Sequence, residues 1–195
     1  MYTMKMSEGK DLCAFCRTPN TKTDDEHIKR TKKLMDRGNG RAFNHLAGLY
    51  SQGECGLPRD YQKANELYLK AGELGSAVAY YNLGDSYNRG TGVEMDKKKA
   101  IHYWELAAMN GHIMARHNLG CSDWNTGNYD RAFRHFILAA RAGYEESLDV
   151  VKQGFTKGLV TKDEYTNTLR AYDERHEEMK SDERDRAAEF IAEFR

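Results

Sequence analysis

Proline is nearly missing from this chain of 195 residues: only Pro19 and Pro58 occur. With so few helix breakers, and with Ala, Leu, Glu and Lys plentiful, the composition favours helix. Also missing is any run close to the roughly 20 apolar residues that a membrane helix needs. The opening MYTMKMSEGK has no apolar core and does not read as a secretory signal. Neither sign of charge is in excess, since 30 basic residues face 30 acidic ones. A nucleic-acid or anionic-membrane surface would need a basic excess, so neither partner is expected. Cysteine is scarce, and Cys13, Cys16, Cys55 and Cys121 form no regular framework. A reducing cytoplasmic or nuclear setting is therefore expected. The motifs of serine hydrolases, zinc proteases and P-loop enzymes are all lacking, and the seven histidines are scattered. No catalysis is expected. What remains is a hydrophilic chain, with mean hydropathy −0.84, whose 11% aromatic content argues against wholesale disorder.

The aromatics and small residues recur in order. Ala-rich stretches close on Gly75, Gly111 and Gly143, and an earlier LMDRG closes on Gly38, at spacings of 37, 36 and 32 residues. Ala42, Ala79, Ala115 and Ser147 each follow such a glycine by four positions. Further columns are Leu46/Leu83/Leu119, Ala47/Gly84/Gly120, Ala64/Ala100/Ala132, Tyr68/Trp104/Phe136 and Ala71/Ala107/Ala139. Tyr50 and Tyr87 match in the first two units only. The spacing i, i+4, i+8 of Ala42, Leu46 and Tyr50 is one stripe of a helix, A; Ala64, Tyr68 and Ala71 mark a second, B. A mid-helix glycine costs about 1 kcal/mol against alanine, so the recurrence of Gly84 and Gly120 predicts a close helix–helix approach. Asp60 and Asp96 end the A–B loops as N-caps. The closing glycines sit where a helix ends in the left-handed conformation. The third unit shortens the loop to Thr126-Gly127-Asn128. A two-helix unit cannot bury its own seam, but stacked neighbours can.

At the N-terminal end, Thr23 and Glu26 read as a capping box opening an orphan B helix with Ile28 and Met35 on one face. After Gly143, Leu148, Val151 and Phe155 mark a degenerate A helix. Thr161 or Asp163 then caps a last helix with the stripe Tyr165, Leu169, Tyr172 and Met179. The fold class expected is all-α: a right-handed solenoid of antiparallel helix pairs with a C-terminal capping helix. Its parts are 1–22, a flexible segment with a C-x-x-C; 23–160, about three full repeats with partial flanking units; and 161–195, the charged capping helix.

The run from Ala77 to Ala115 resembles a Sel-one-like repeat, a relative of the tetratricopeptide repeats. The resemblance is carried by Ala79, Leu83-Gly84, Tyr87, Gly90-x-Gly92-Val93, Asp96, Ala100, Trp104, Ala107-Ala108 and Gly111. It covers about residues 40–145. It implies a right-handed superhelix of α-hairpins acting as a protein-binding adaptor or scaffold, with other proteins as partners. Some relatives are associated with ubiquitin-ligase complexes, others with bacterial signalling. A cysteine-rich branch with a disulfide in each repeat is a poor match, because Cys55 and Cys121 lack partners at repeat spacing. A β-lactam-binding enzyme of that branch is the remotest alternative.

In such repeats the concave face is lined by A-helix positions off the packing stripe. Two residues before the leucine column, these are Asn44, Tyr81 and His117; two after it come Gly48, Asp85 and Cys121. Further on lie Ser51 and Gln52, Asn88 and Arg89, and Trp124 and Asn125. Exposed aromatics on a rigid surface fit partner binding. The alternative is that Tyr81 and Trp124 are core residues of irregular repeats. Cys13 and Cys16 offer two metal ligands where structural zinc needs four, and His27 is a distant third. Their C-x-x-C-R context resembles the last ligand pair of a RING finger. A truncated RING-type ubiquitin ligase is thus a second alternative, and zinc is expected only if a fuller RING lies upstream. No cofactor is expected otherwise.

Overall fold

A computed structural model describes the backbone of residues 23–193 and the side chains of residues 23–180 and 186. Nine helices and no strands occur among the described residues. The first, α1 (Asp24–Met35), is the orphan B helix. Three A–B pairs follow: α2 (Gly40–Gln52) with α3 (Tyr61–Glu73), α4 (Ala77–Arg89) with α5 (Lys97–Met109), and α6 (Ile113–Asn125) with α7 (Tyr129–Arg141). Then come the degenerate A helix α8 (Glu145–Thr156) and the long α9 (Lys162–Glu193). Each helix packs against its chain neighbours, and α9 packs on α7 and α8, as a solenoid requires.

The boundaries follow local chemistry. Thr23 accepts from the Glu26 amide, and Asp60 and Asp96 accept from the first-turn amides of α3 and α5. Each unit closes the same way. Gly75 has φ +89°; its N–H donates to Gly72 O at 2.8 Å, and the Ser76 N–H donates to Ala71 O at 2.9 Å. Gly111 and Gly143 repeat that pair of bonds, which satisfies the last carbonyls of a helix. The next residue then caps the following A helix through its side chain at Asn39, Ser76 and His112.

Three buried clusters run along the array, each sealed by the A helix of the next unit. Leu83 of α4 joins Leu46, Leu67 and Tyr68; Leu119 of α6 joins Trp104 and Ala107; Val151 of α8 joins Phe133 and Phe136. The repeated A-helix glycine is the close approach expected of it. A Cβ on Gly84 would lie 2.5 Å from the Trp104 indole, and one on Gly120 would lie 2.7 Å from Phe136.

The ends differ in detail from the apolar pattern. Thr161 caps α9, and Glu164 returns the bond to the Thr161 amide at 3.0 Å. Tyr165, Leu169 and Tyr172 are half-buried, but Met179 is exposed, and the fully buried residue is Thr168. Thr31 of α1 is buried in the same manner. Both hydroxyls donate to the carbonyl one turn back, Thr168 to Glu164 O at 2.6 Å and Thr31 to His27 O at 3.0 Å. A threonine so satisfied buries like an apolar residue. In α8, Leu148 and Val151 are buried but Phe155 stays on the surface, stacked on Tyr165 at 4.6 Å.

Candidate functional site

The site grows out of the glycine–aromatic contact. Because Trp104 sets Cδ1 and Nε1 of its indole against Gly84, its N–H reaches the next residue of α4 and donates to Asp85 Oδ1 at 3.1 Å. The polar handle of a buried aromatic is thereby satisfied by helix A. In the first unit the equivalent residue is Tyr68, whose hydroxyl lies near Ser51, while Phe136 of the third has no such group to satisfy. Asp85 becomes a junction: it also accepts from Asn118 of α6 at 3.4 Å and faces Arg89 at 3.7 Å. The Tyr81 hydroxyl lies beside Asn118 and Asp85, and its ring stacks on His112 at 4.3 Å. Burial first, and then the Asp85 charge, raise the Tyr81 phenol above its ordinary value.

Around this junction lies a cleft of about 580 Å³ between α4 and α6, with Ile101 and Trp104 of α5 beneath it. Tyr81, Asp85, Asn88 and Arg89 line one wall, and Asn118, Cys121 and Asn125 the other. A second cleft of about 320 Å³ lies between α6 and α8, with Trp124, Phe133 and Phe136 on its lining. Cys121 and Asn125 belong to both, so the two clefts adjoin across these α6 residues, and together they form the groove referred to below. Each floor consists of the aromatics that hold a unit together, so the groove is as rigid as the packing under it.

The expected site residues fall into three groups. Tyr81, Asp85, Asn88 and Arg89 come together in the first cleft, and Trp124 lines the second. Trp124 is also a packing residue, edge-on to Tyr129 at 4.8 Å and Phe133 at 5.7 Å. Asn44 lies elsewhere, in an open hollow of about 800 Å³ between the N-terminal ends of α2 and α4. Gln52 is exposed at the end of α2, where its carbonyl accepts from Arg59 at 3.3 Å. His117 lines neither cleft. Its Nδ1 is 2.8 Å from the hydroxyl of the fully buried Ser147, and its ring leans on Phe136 and Tyr144. It ties α6 to α8, and burial lowers its imidazole pKa below the ordinary value. Cys13 and Cys16 lie outside the described residues, and the RING resemblance with them. Cys55 and Cys121 are free thiols.

Lys97 and Asn118 of the first cleft and Lys157 of the second were not foreseen in sequence. Asn118 had a signal, since the tripeptide Asn-Leu-Gly occurs at both 82–84 and 118–120. Lys97 bridges from α5 to Asn88, donating to its carbonyl at 3.1 Å and its side-chain oxygen at 2.7 Å. No helix among the described residues is long and apolar enough to cross a membrane.

Comparison with known proteins bears on this architecture. The model for the Sel1 repeat matches residues 43–76, 77–112 and 114–144, a little over half of the chain. The chain is 32% identical over 76 residues to a sel1-like repeat-containing protein of Acanthamoeba polyphaga mimivirus, covering 39% of this chain and 14% of that one. It is 35% identical over 60 residues to an uncharacterized protein of Neisseria meningitidis serogroup B, covering 31% and 13%. The chain thus spans about one-seventh of the length of these curated relatives. Among solved structures, a Sel1 repeat protein from Oxalobacter formigenes superposes with TM-score 0.66 at 27% identity, over 78% of this chain and 64% of that one. A protective antigen of uropathogenic Escherichia coli displaying an SLR fold gives TM-score 0.69 at 25% identity, over 83% and 35%. Cysteine rich protein B of Helicobacter pylori, with TM-score 0.53 at 24% identity over 67% and 99%, shares the fold.

Proposed function

Since the chain belongs to the Sel1 repeat family, we propose that it works as a protein-interaction scaffold and that the groove across α4, α6 and α8 is where it holds a partner. One observation carries the reading. Aromatic and amide side chains from successive A helices line two clefts that adjoin at Cys121 and Asn125, and the residues beneath them are already fixed by packing and hydrogen bonds. A preformed surface of this kind binds without paying to order itself. Aromatic anchors beside hydrogen-bonding amides are the composition of an interface centre. No catalytic role is proposed.

The test compares partner capture by the full chain with capture by two variants. Arg89→Glu with Asn125→Arg alters the groove at two exposed positions that carry no packing. Lys70→Glu alters the exposed side of α3. Partners retained by the second variant and lost by the first, with both variants folded at the assay temperature, support the groove. Retention by both would end the proposal.

A further inference from the structure

The groove has a charge pattern that the chain as a whole lacks. The chain is formally neutral, but the charged side chains lining the two clefts are Asp85, Arg89, Lys97 and Lys157. Asp85 is already engaged by the Trp104 indole, the Asn118 amide and, at 3.7 Å, Arg89. That leaves Lys97 in the first cleft and Lys157 in the second, on either side of Cys121 and Asn125. Lys97 bonds only neutral oxygens of Asn88, so its charge is uncompensated there. Between the two cations lie apolar surfaces from Ile101, Trp104, Trp124 and Phe133. The exposed amide of Asn125, where the clefts adjoin, can both donate to and accept from a passing main chain.

We infer that the occupant is an extended segment of another protein with an apolar core flanked on both sides by acidic residues. The inference rests on the scaffold reading of the same groove. Side-chain contacts join α4 to α6 through Asp85 and Asn118, and α6 to α8 through His117 and Ser147. Two steps between packed helices cover roughly 20 Å. An extended chain advances ~3.3 Å per residue, so about six residues cross the groove. The apolar side chains fill the clefts over Trp104 and Trp124, and the flanking carboxylates reach Lys97 and Lys157.

The chain's own two tryptophans report on binding, since one lies in each cleft. Full-length protein is titrated with a capped peptide of about ten residues that has Leu-Phe at its centre and two glutamates on each side. A second peptide replaces the glutamates by lysines. The glutamate peptide should change the tryptophan emission and bind at least tenfold more tightly than the lysine peptide. Its affinity should fall with added salt. The double variant Lys97→Glu, Lys157→Glu should lose that tenfold preference. A small fall in its melting temperature is expected, since Lys97 gives up its bonds to Asn88 and a carboxylate at 157 follows the C-terminus of α8, so binding is compared well below the melting of either protein. Equal binding of the two peptides, or tighter binding of the lysine peptide, overturns the charge inference and leaves the groove reading in place. If neither peptide binds, the inference fails outright, and the groove reading is judged separately by the Arg89→Glu, Asn125→Arg capture result.

Discussion

Gly48→Ala and Gly84→Ala make the same covalent change in the middle of two A helices, α2 and α4, and should move stability in opposite directions. Each gains the helix preference of alanine over glycine, about 1 kcal/mol. At Gly48 a Cβ meets nothing within 4 Å, so that gain is unopposed. At Gly84 a Cβ would lie 2.5 Å from Trp104 Cδ1, 2.7 Å from its Nε1 and 3.1 Å from Ala100 O. Carbon contacts are comfortable near 3.5–4.0 Å, so the indole must retreat by about 1 Å. It cannot do so and keep its 3.1 Å bond to Asp85. Overpacking costs about 1–3 kcal/mol, and a lost hydrogen bond to a carboxylate about 1.5–3 kcal/mol. Net of the propensity gain, Gly84→Ala should destabilise by about 1.5–5 kcal/mol, while Gly48→Ala should stabilise by about 0.5–1 kcal/mol. For a chain of this size about 1 kcal/mol moves the melting temperature by roughly 2–4 °C. Thermal melts of both variants beside the parent decide the matter. In Gly84→Ala the tryptophan emission should also change before any unfolding, because Trp104 has moved. A raised melting temperature for Gly84→Ala would refute the close-approach account of the repeated glycine.

Three further outcomes are expected. His112 caps α6 by accepting the Ala115 N–H on Nδ1 at 3.2 Å, which only the neutral ring can do. Burial lowers its pKa, so the folded state favours the neutral form; stability is full above about pH 6.5 and declines as pH falls below that value. The half-buried rings of His45, His117 and His135 shift in the same direction, so melting should fall between about pH 7.5 and 5. His112→Asn, which keeps a cap without titrating, should flatten part of that slope. Asn65 is buried on α3 and donates to Thr91 O of the next unit's loop at 2.8 Å. Asn65→Ala should cost about 1–3 kcal/mol in urea denaturation by leaving that carbonyl without its donor. Thr161→Ala removes the cap of α9 and should cost about 0.5–2 kcal/mol, seen as faster amide exchange in the first turn of that helix.

Much of the fold could be read from the chain because repeats turn local chemistry into columns. Leu83 and Leu119, the aspartate caps and the closing glycines each have one physical role, and the role recurs wherever the residue does. Where the pattern misled, a residue satisfied itself by unusual means. Thr31 and Thr168 are absent from the apolar stripes expected of α1 and α9, yet they are buried, because each hydroxyl bonds its own helix. Met179 and Phe155 read as apolar-stripe positions but stay exposed, Phe155 stacking on Tyr165 between α8 and α9 instead of entering the core.

The groove was legible only in part, for the same reason. Register put Asn44, Tyr81 and His117 in one column, as it did Asp85 with Gly48 and Cys121. The structure separates them: Tyr81 lines a cleft, Asn44 faces a different hollow, and His117 is locked to Ser147. The chain alone determined where helices start and stop, which faces pack, and that the units stack, since these depend on neighbours within a few turns. Only the tertiary structure decided which equivalent positions open onto a cleft. That depends on the size and bonding of side chains one unit away. Trp104 pressed against Gly84 brings an indole N–H to Asp85, whereas Phe136 against Gly120 brings none.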